Sequence, residues 1–241
     1  MKSFRKNRQS AMDGKNINSY LRYAVSEVFL VVLGILIAVS INNWNEARQQ
    51  QKLLDNILAV VTNDLESDTL EVGIIVKRYE TLEPYFARVQ DSLDREGLKA
   101  CNICAGLVTS FSNFAIEERG YNLLQNFVDA SEEKQDTVVQ DIVHFYKTYQ
   151  GLITIIEESI RDGVNGTLEH WRDKHDWYAD FINGQLTEEY WDYVSEDPKY
   201  KNRLAHHYLY VYKNYIPVCK SFKKDSEELL EIIAERFANK E

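Results

Sequence analysis

Two cysteines separated by two residues, Cys101-Asn-Ile-Cys104, are the residues of this sequence whose spacing most clearly suggests chemistry. In an oxidising compartment such a pair can form a disulfide, a redox couple or half of a metal site. Thioredoxin-type redox work expects a strand and a helix around the pair, and haem attachment needs histidine where the chain has Ala105. Zinc needs two further ligands, and Cys219 offers only one. We therefore expect either a local disulfide or two free thiols.

The histidines do not form a metal motif, since no His-Glu-x-x-His occurs. Two of them are five residues apart, which takes them off a shared helical face, and a third falls among expected core positions. The sequence therefore predicts no metal and no cofactor. The five histidines are His144 (the expected core or boundary position), His170 and His175 (the pair), His206 and His207.

Trp, Tyr and carboxylates are concentrated in residues 170–181 (HWRDKHDWYADF) and 188–193 (EEYWDY). Such side chains line sugar-binding sites, and paired acids hydrolyse glycosides. On helices, acids that flank aromatics more often border a buried stripe, and we expect that arrangement and no catalytic residue. An enzyme would instead need a pocket that holds two of these acids beside Trp177 or Trp191. The acids in question are Asp173, Asp176, Glu188, Glu189 and Asp192.

Charge is distributed unevenly along the 241 residues. Residues 1–45 carry six Lys or Arg against two acids, a charge of +4, whereas the whole chain carries −10. The remainder therefore carries −14. An acidic body argues against nucleic acid as a partner, because phosphate binding needs a surface of Lys and Arg.

An apolar segment follows the basic residues. Its uncharged run from Val28 to Ile41 has 14 residues, about 21 Å of helix, which is short of a hydrocarbon core of ~30 Å. From Tyr23 to Trp44 it has 22 residues, about 33 Å. Tyr23 and Trp44 are aromatic types favoured at the two membrane–water interfaces. We therefore predict a transmembrane helix over residues 23–44.

Three interpretations of this segment compete. A buried core helix does not explain the six preceding bases, and a signal peptide cleaved after Ser40 does not explain why the helical pattern continues into the body. An uncleaved signal-anchor explains both. Because the bases precede the span, residues 1–22 should be cytoplasmic and residues 45–241 extracytoplasmic.

The stretch YAVSEVFLVVLGILIAVSINNWNEAR resembles the N-terminal segment of an uncharacterised family of Bacteroidota. That family reads Tyr-Ala-x-Gly-Glu, then Gly-Ile-Leu-Ile-Ala, then Ile-Asn-Asn-Trp-Asn-Glu. This chain departs from it at Ser26 and at Val39-Ser40, and its later FAIEERGYNLLQ resembles the family more loosely. The resemblance implies a single-span inner-membrane protein with a helical extracytoplasmic domain, and it implies no activity.

One face of the predicted span carries Glu27, Gly34, Ala38 and Asn42. Gly34-x-x-x-Ala38 is a spacing that lets two membrane helices approach closely, although two small residues at this spacing also occur by chance. We call these four residues the packing seam. Glu27 lies near the interface, where its carboxylate either reaches water or pairs with a base of a partner span.

Few prolines and glycines favour an all-α body, one in which the span continues as a helix through Val61. Local signals place a kink or break at Pro84, an irregular region over residues 95–120, and a stop or kink at Pro217. A long helix is expected from an N-cap at Ser131 to a turn at Gly163–Gly166, and Pro198 should begin another. Tyr208, Tyr210 and Tyr212 alternate as in a strand, but helix is preferred. The expected architecture is a bundle of about five to seven helices.

These observations predict a membrane-anchored interaction, scaffold or sensor module without catalysis. Its expected partners are the lipid bilayer and either another protein or a second copy of the chain. The alternative is a periplasmic enzyme or carbohydrate-binding protein that uses residues 170–193.

Overall fold

The computed structural model describes residues 17–91, 95–130 and 136–239. Within these ranges the chain is helical and contains no strand, which confirms the expected all-α class. It divides into two compact units, Met1–Asn56 and Ile57–Glu241. The second unit contains the residues that could form a binding site.

Eight α-helices, one 3-10 helix and one π-helical segment occur in the described ranges, more than the five to seven helices expected. In chain order they are α1 (Ile17–Asp91), α2 (Arg95–Lys99), the 3-10 helix (Cys104–Thr109), α3 (Arg119–Ala130), α4 (Thr137–Lys174), α5 (Tyr178–Ile182), α6 (Glu188–Glu196), α7 (Pro198–Tyr208), the π-helical segment (Leu209–Tyr215) and α8 (Ile216–Ala238).

Helix α1 runs from the apolar segment into the body, as the periodicity through Val61 predicted, and it then continues without interruption to Asp91. The break expected at Pro84 is wrong, because the helix continues to Asp91. Proline in a helix removes one backbone hydrogen bond and costs about 3 kcal/mol. Phe86 and Val89, in the next turns, are buried, and burying such side chains supplies about 1.5–3 kcal/mol each.

Helix α4 is the central helix of the second unit and packs against α3, α7, α8, the 3-10 helix and the π-helical segment. Asp136 caps its start by accepting hydrogen bonds from the backbone N–H groups of Val138 (3.0 Å) and Val139 (3.3 Å). The expected N-cap Ser131 lies outside the described residues. The expected turn at Gly163–Gly166 is wrong, because α4 continues to Lys174. The same helical face stays buried past the glycines, through Val164, Thr167 and Trp171.

Pro198 lies in the first turn of α7, as expected. The stop expected at Pro217 is wrong, because helix continues on both sides of it. Pro217 occupies the first turn of α8, which directly follows the π-helical segment. A proline ring clashes with the carbonyl one turn earlier, and the wider π-helical turn accommodates that clash. The alternation of tyrosines over residues 208–212 therefore belongs to helix and not to a strand.

Gly120, at the start of α3, lies where the backbone of α3 closely approaches that of α1. A Cβ atom built there would lie 2.7 Å from both the Cα and the N atom of Val61 on α1. Backbone atoms cannot move aside as the end of a side chain can. Only glycine therefore allows α3 to contact α1 at this point.

We predict that Gly120→Ala lowers the free energy of unfolding by about 1–3 kcal/mol, because the added methyl overlaps the Val61 backbone. The matched control is Gly151→Ala on α4, where a Cβ meets nothing within 4 Å. That change should be neutral or stabilising, because alanine favours helix by about 1 kcal/mol over glycine. Urea unfolding of the full chain in detergent, followed by circular dichroism, measures both. Equal stabilities would contradict the steric argument.

Candidate functional site

The N-terminal apolar segment of α1 is exposed throughout. The one helix in the described residues that is long and apolar enough to cross a membrane has an 18-residue window of mean hydropathy 2.6, none of it buried. Tyr23 and Trp44 are 62% and 64% exposed. The seam residues Glu27, Gly34, Ala38 and Asn42 are exposed too, and a Cβ built on Gly34 meets nothing within 4 Å.

Cys101 and Cys104 are joined by a disulfide, with their Cα atoms 5.3 Å apart. The bridge closes the turn that leads into the 3-10 helix. Cys219 is a free and buried thiol, and burial raises its pKa to about 12. A thiol with so high a pKa is inert at neutral pH. Cys219 takes no part in the disulfide, and the described residues do not combine it with two other His, Cys, Asp or Glu side chains as a metal site.

The histidines are dispersed, with one exception. His170 and His175 have ring centroids 5.6 Å apart, because α4 ends at Lys174 and the chain turns at His175. His144 is exposed, so the core or boundary position expected for it is wrong. The described residues contain no group of three or more His, Cys, Asp or Glu side chains arranged to hold a metal ion.

The aromatic residues of 170–193 form one buried cluster. Trp171, at the end of α4, contacts Trp177 edge to face at 5.4 Å. His175 stacks on Trp177 at 4.7 Å and also contacts Tyr193 at 4.6 Å. Tyr190 is fully buried and donates to the carbonyl of Ala105 at 2.5 Å. This is the buried stripe that the sequence predicted.

An open groove of about 890 Å³ lies beside this cluster, bordered by the end of α4 and the starts of α6 and α7. Asp176, Glu189 and Asp192 line it together with Trp177. It therefore meets the condition set for the enzyme or sugar-binding interpretation. Trp177 is only 6% exposed, however, and His175 stacks on its ring. Little of that ring is left for a sugar.

Several acids at or beside the groove have cationic or polar partners. Arg95 of α2 pairs with Glu188 (2.9 Å) and Asp192 (2.6 Å), and Lys99 reaches Glu188 at 2.6 Å. Bonds to Lys99 lower the pKa of Glu188. The start of α6, through its backbone and Thr187, lowers the pKa of Glu189. Both are ionised at neutral pH, whereas a glycosidase's general acid needs a raised pKa.

Three buried carboxylates that the sequence analysis did not identify hold the irregular segment of residues 110–118 and the start of α3. Glu157 of α4 accepts from the backbone N–H of Phe114 at 2.9 Å. From α1, Asp68 accepts from Glu117 N at 3.2 Å, and Asp64 accepts from Gly120 N at 2.6 Å. All three side chains are buried. The signal was present, because all three lie at apolar-face spacing on their helices, where charged residues are unusual.

Asp68 has the most strongly perturbed carboxyl of these three. Burial raises its pKa from 3.8 to about 7, and the bond from Glu117 N only partly opposes this shift. Glu117, Asp64 and Glu71 add repulsion. Near neutral pH the carboxyl of Asp68 is therefore protonated in about half of the folded molecules.

The fold and site define an all-α protein with one exposed apolar helix that could cross a membrane. A model of a family of unknown function, DUF6090, matches residues 27–95. The matched region contains the apolar segment from Glu27 onward, the remainder of α1 and the first residue of α2. No curated protein and no solved structure matches the chain. The match fits the expected uncharacterised domain family and assigns no function.

We predict that the stability difference between the parent chain and Asp68→Asn depends on pH. The folded pKa of Asp68 lies above its unfolded pKa, so the parent loses stability as pH rises from about 4 to about 7. The variant lacks this titration. Urea unfolding at pH 5 and pH 8 should show the parent's advantage over the variant shrinking by on the order of 2 kcal/mol at the higher pH. A constant difference would show that Asp68 is not perturbed.

Proposed function

We propose that this protein is a single-pass, membrane-anchored helical module that binds other proteins, as a scaffold or sensor, without catalysis. The observation that carries the proposal is the exposed apolar segment of α1, whose most apolar 18-residue window is wholly unburied. Leu30, Leu33 and Leu36 are each more than two-fifths exposed. Lipid is the environment that removes so much apolar surface from water.

The basic residues before the span support an orientation with residues 1–22 in the cytoplasm and residues 45–241 in the periplasm of a bacterial inner membrane. The motif of residues 23–48 supports membership of the uncharacterised Bacteroidota family that it resembles. A disulfide between Cys101 and Cys104 is compatible with an oxidising compartment.

Orientation is tested by a reporter that is active only in the periplasm. Fused after Glu241 it should be active, and fused before Met1 it should be silent, because the positive-inside rule retains the basic end in the cytoplasm. A silent C-terminal fusion in a membrane-bound, full-length product would overturn the proposed topology.

The proposed module acts through association of its span with the span of a partner. The packing seam offers such a contact. Gly34 and Ala38 are small enough to let a second helix approach. The partner is then a second copy of the chain or another single-span protein.

We predict that Gly34→Ile reduces crosslinking through the span several-fold in native membranes, because a branched side chain separates the two helices. Val32→Ile is the matched control. Val32 lies about 200° from Gly34 around the helix, on the side expected to face lipid. The Val32→Ile variant should therefore crosslink as the parent chain does. Mass spectrometry of the products identifies self-contacts or a second protein. Unchanged crosslinking of Gly34→Ile would remove the seam from the proposal, and absence of any product would remove the interaction module.

The second candidate is a periplasmic enzyme or carbohydrate-binding protein. It is favoured by the groove that Asp176, Glu189 and Asp192 share beside Trp177. It ranks second because Trp177 is buried beneath His175 and because Asp192 is paired with Arg95.

A further inference from the structure

Helix α1 carries a second apolar face within the second unit, on the side turned away from the core. Leu70 is 72% exposed and Ile74 is 70% exposed, larger fractions than for any other large apolar side chain in the described residues. Leu65 and Val72, nearly opposite them around the helix, are buried. The helix therefore buries one apolar face in the body and leaves another in water.

The exposed positions of this face repeat at alternating intervals of three and four residues, which is the spacing of a coiled-coil seam. Leu70 is a d position of this repeat and Ile74 an a position. Branched residues at a with leucine at d favour two parallel helices. We call the five positions the exposed strip, of which the first is half-buried and the others are exposed: Val60, Asn63, Ser67, Leu70 and Ile74.

A second copy of the chain is the partner whose layers match this strip. In a parallel two-stranded pair each a or d residue faces its own equivalent, so Leu70 and Ile74 each pack on the same residue of the second copy. Asn63 and Ser67 each combine a donor and an acceptor, so each can pair with its own equivalent. An unrelated helix would need apolar and polar residues in the same order, which a second copy has by symmetry.

Charge also favours this face over the rest of the acidic body. The strip has no charged residue, whereas the chain after residue 45 carries −14. Glu66 and Glu71 flank the strip, and in a parallel pair Glu66 of each copy faces Glu71 of the other. Both side chains are exposed, so water and salt weaken this repulsion. The pair is therefore weak in dilute solution and depends on the high local concentration that a shared membrane gives.

We infer that the exposed strip binds a second copy of this chain, as a two-stranded parallel coiled coil of α1 between Val60 and Ile74. The inference rests on the proposed function, because anchoring in one membrane places two copies on the same side and in the same orientation. It names the partner, and it gives the body a contact with residues of its own, separate from the packing seam of the span.

Oxidative crosslinking at Ser67 of the full chain in native membranes tests the pairing. Ser67→Cys places a thiol on the strip with little change in volume, and the chain's own cysteines are bridged or buried. Copper phenanthroline should convert this variant to a disulfide-linked dimer, because the two thiols face each other. Adding Ile74→Glu should lower the dimer yield several-fold. Adding Ile155→Glu, which replaces an isoleucine that is 64% exposed on α4, should not.

Glu66→Lys tests the parallel register. It turns the repulsion between Glu66 and Glu71 into attraction, so the dimer yield should rise, and added salt should reduce the gain. Glu158→Lys makes the same change of net charge at an exposed position of α4 and should leave the yield as it was. Yields are normalised to the rate at which each introduced thiol reacts with a monofunctional maleimide, because a nearby lysine makes a thiol more reactive.

Absence of a dimer, a yield that Ile74→Glu does not lower, or products formed only with a different protein would overturn the inference. An unchanged yield for Glu66→Lys would reject the parallel pairing. Any of these results, in membranes where crosslinking through the span persists, would remove the strip and leave the anchored module in place.

Discussion

The body of this protein depends on holding a stretch of chain without regular structure against its helices, with Phe114 buried at its centre. Residues 110–118 make no helical ladder, so their backbone N–H groups need other acceptors. Glu157, Asp68 and Asp64 provide these for Phe114, Glu117 and Gly120, at intervals of three residues. Hydrogen bonds to charged acceptors contribute about 1.5–3 kcal/mol each, and an unpaired buried N–H costs a similar amount. Removing one carboxylate therefore strands a backbone group as well.

Tyrosine hydroxyls also form hydrogen bonds that hold this irregular segment. Tyr79 of α1 bonds both the N–H (2.7 Å) and the carbonyl (3.2 Å) of Ser112. Tyr215 donates to Glu157 at 2.6 Å, which fixes the carboxylate that holds Phe114. The aromatic-rich core thus supplies apolar volume and hydrogen bonds together. A plain bundle of amphipathic helices would need neither, and this explains why so many tyrosines are fully buried.

The parts predictable from sequence are those that depend on the chain locally. Helical periodicity correctly predicted the all-α class, the continuation of the span into the body through Val61 and the start of α7 at Pro198. The break predicted at Pro84, the turn at Gly163–Gly166 and the stop at Pro217 do not occur, because packing of the flanking turns outweighs a penalty of about 1–3 kcal/mol. The buried acids were missed for a related reason. A carboxylate on a helix ordinarily indicates a solvated face, and only the fold brings an unpaired backbone N–H to it. The acidic groove likewise depends on the way the chain folds back between the end of α4 and the start of α7, which no local pattern shows.

The polar groups of the acidic groove are only partly paired. Asp192 pairs with Arg95, and Asp197 accepts from the backbone N–H of Lys199 at 2.7 Å. A ligand there would have to displace these bonds. The buried Nε2 of His175, which also lines the groove, has no hydrogen-bond partner among the described residues. Burying such an atom unpaired costs about 1–3 kcal/mol. Unpaired buried polar atoms occur at several places in the described part of the chain, so they do not by themselves single out a ligand site.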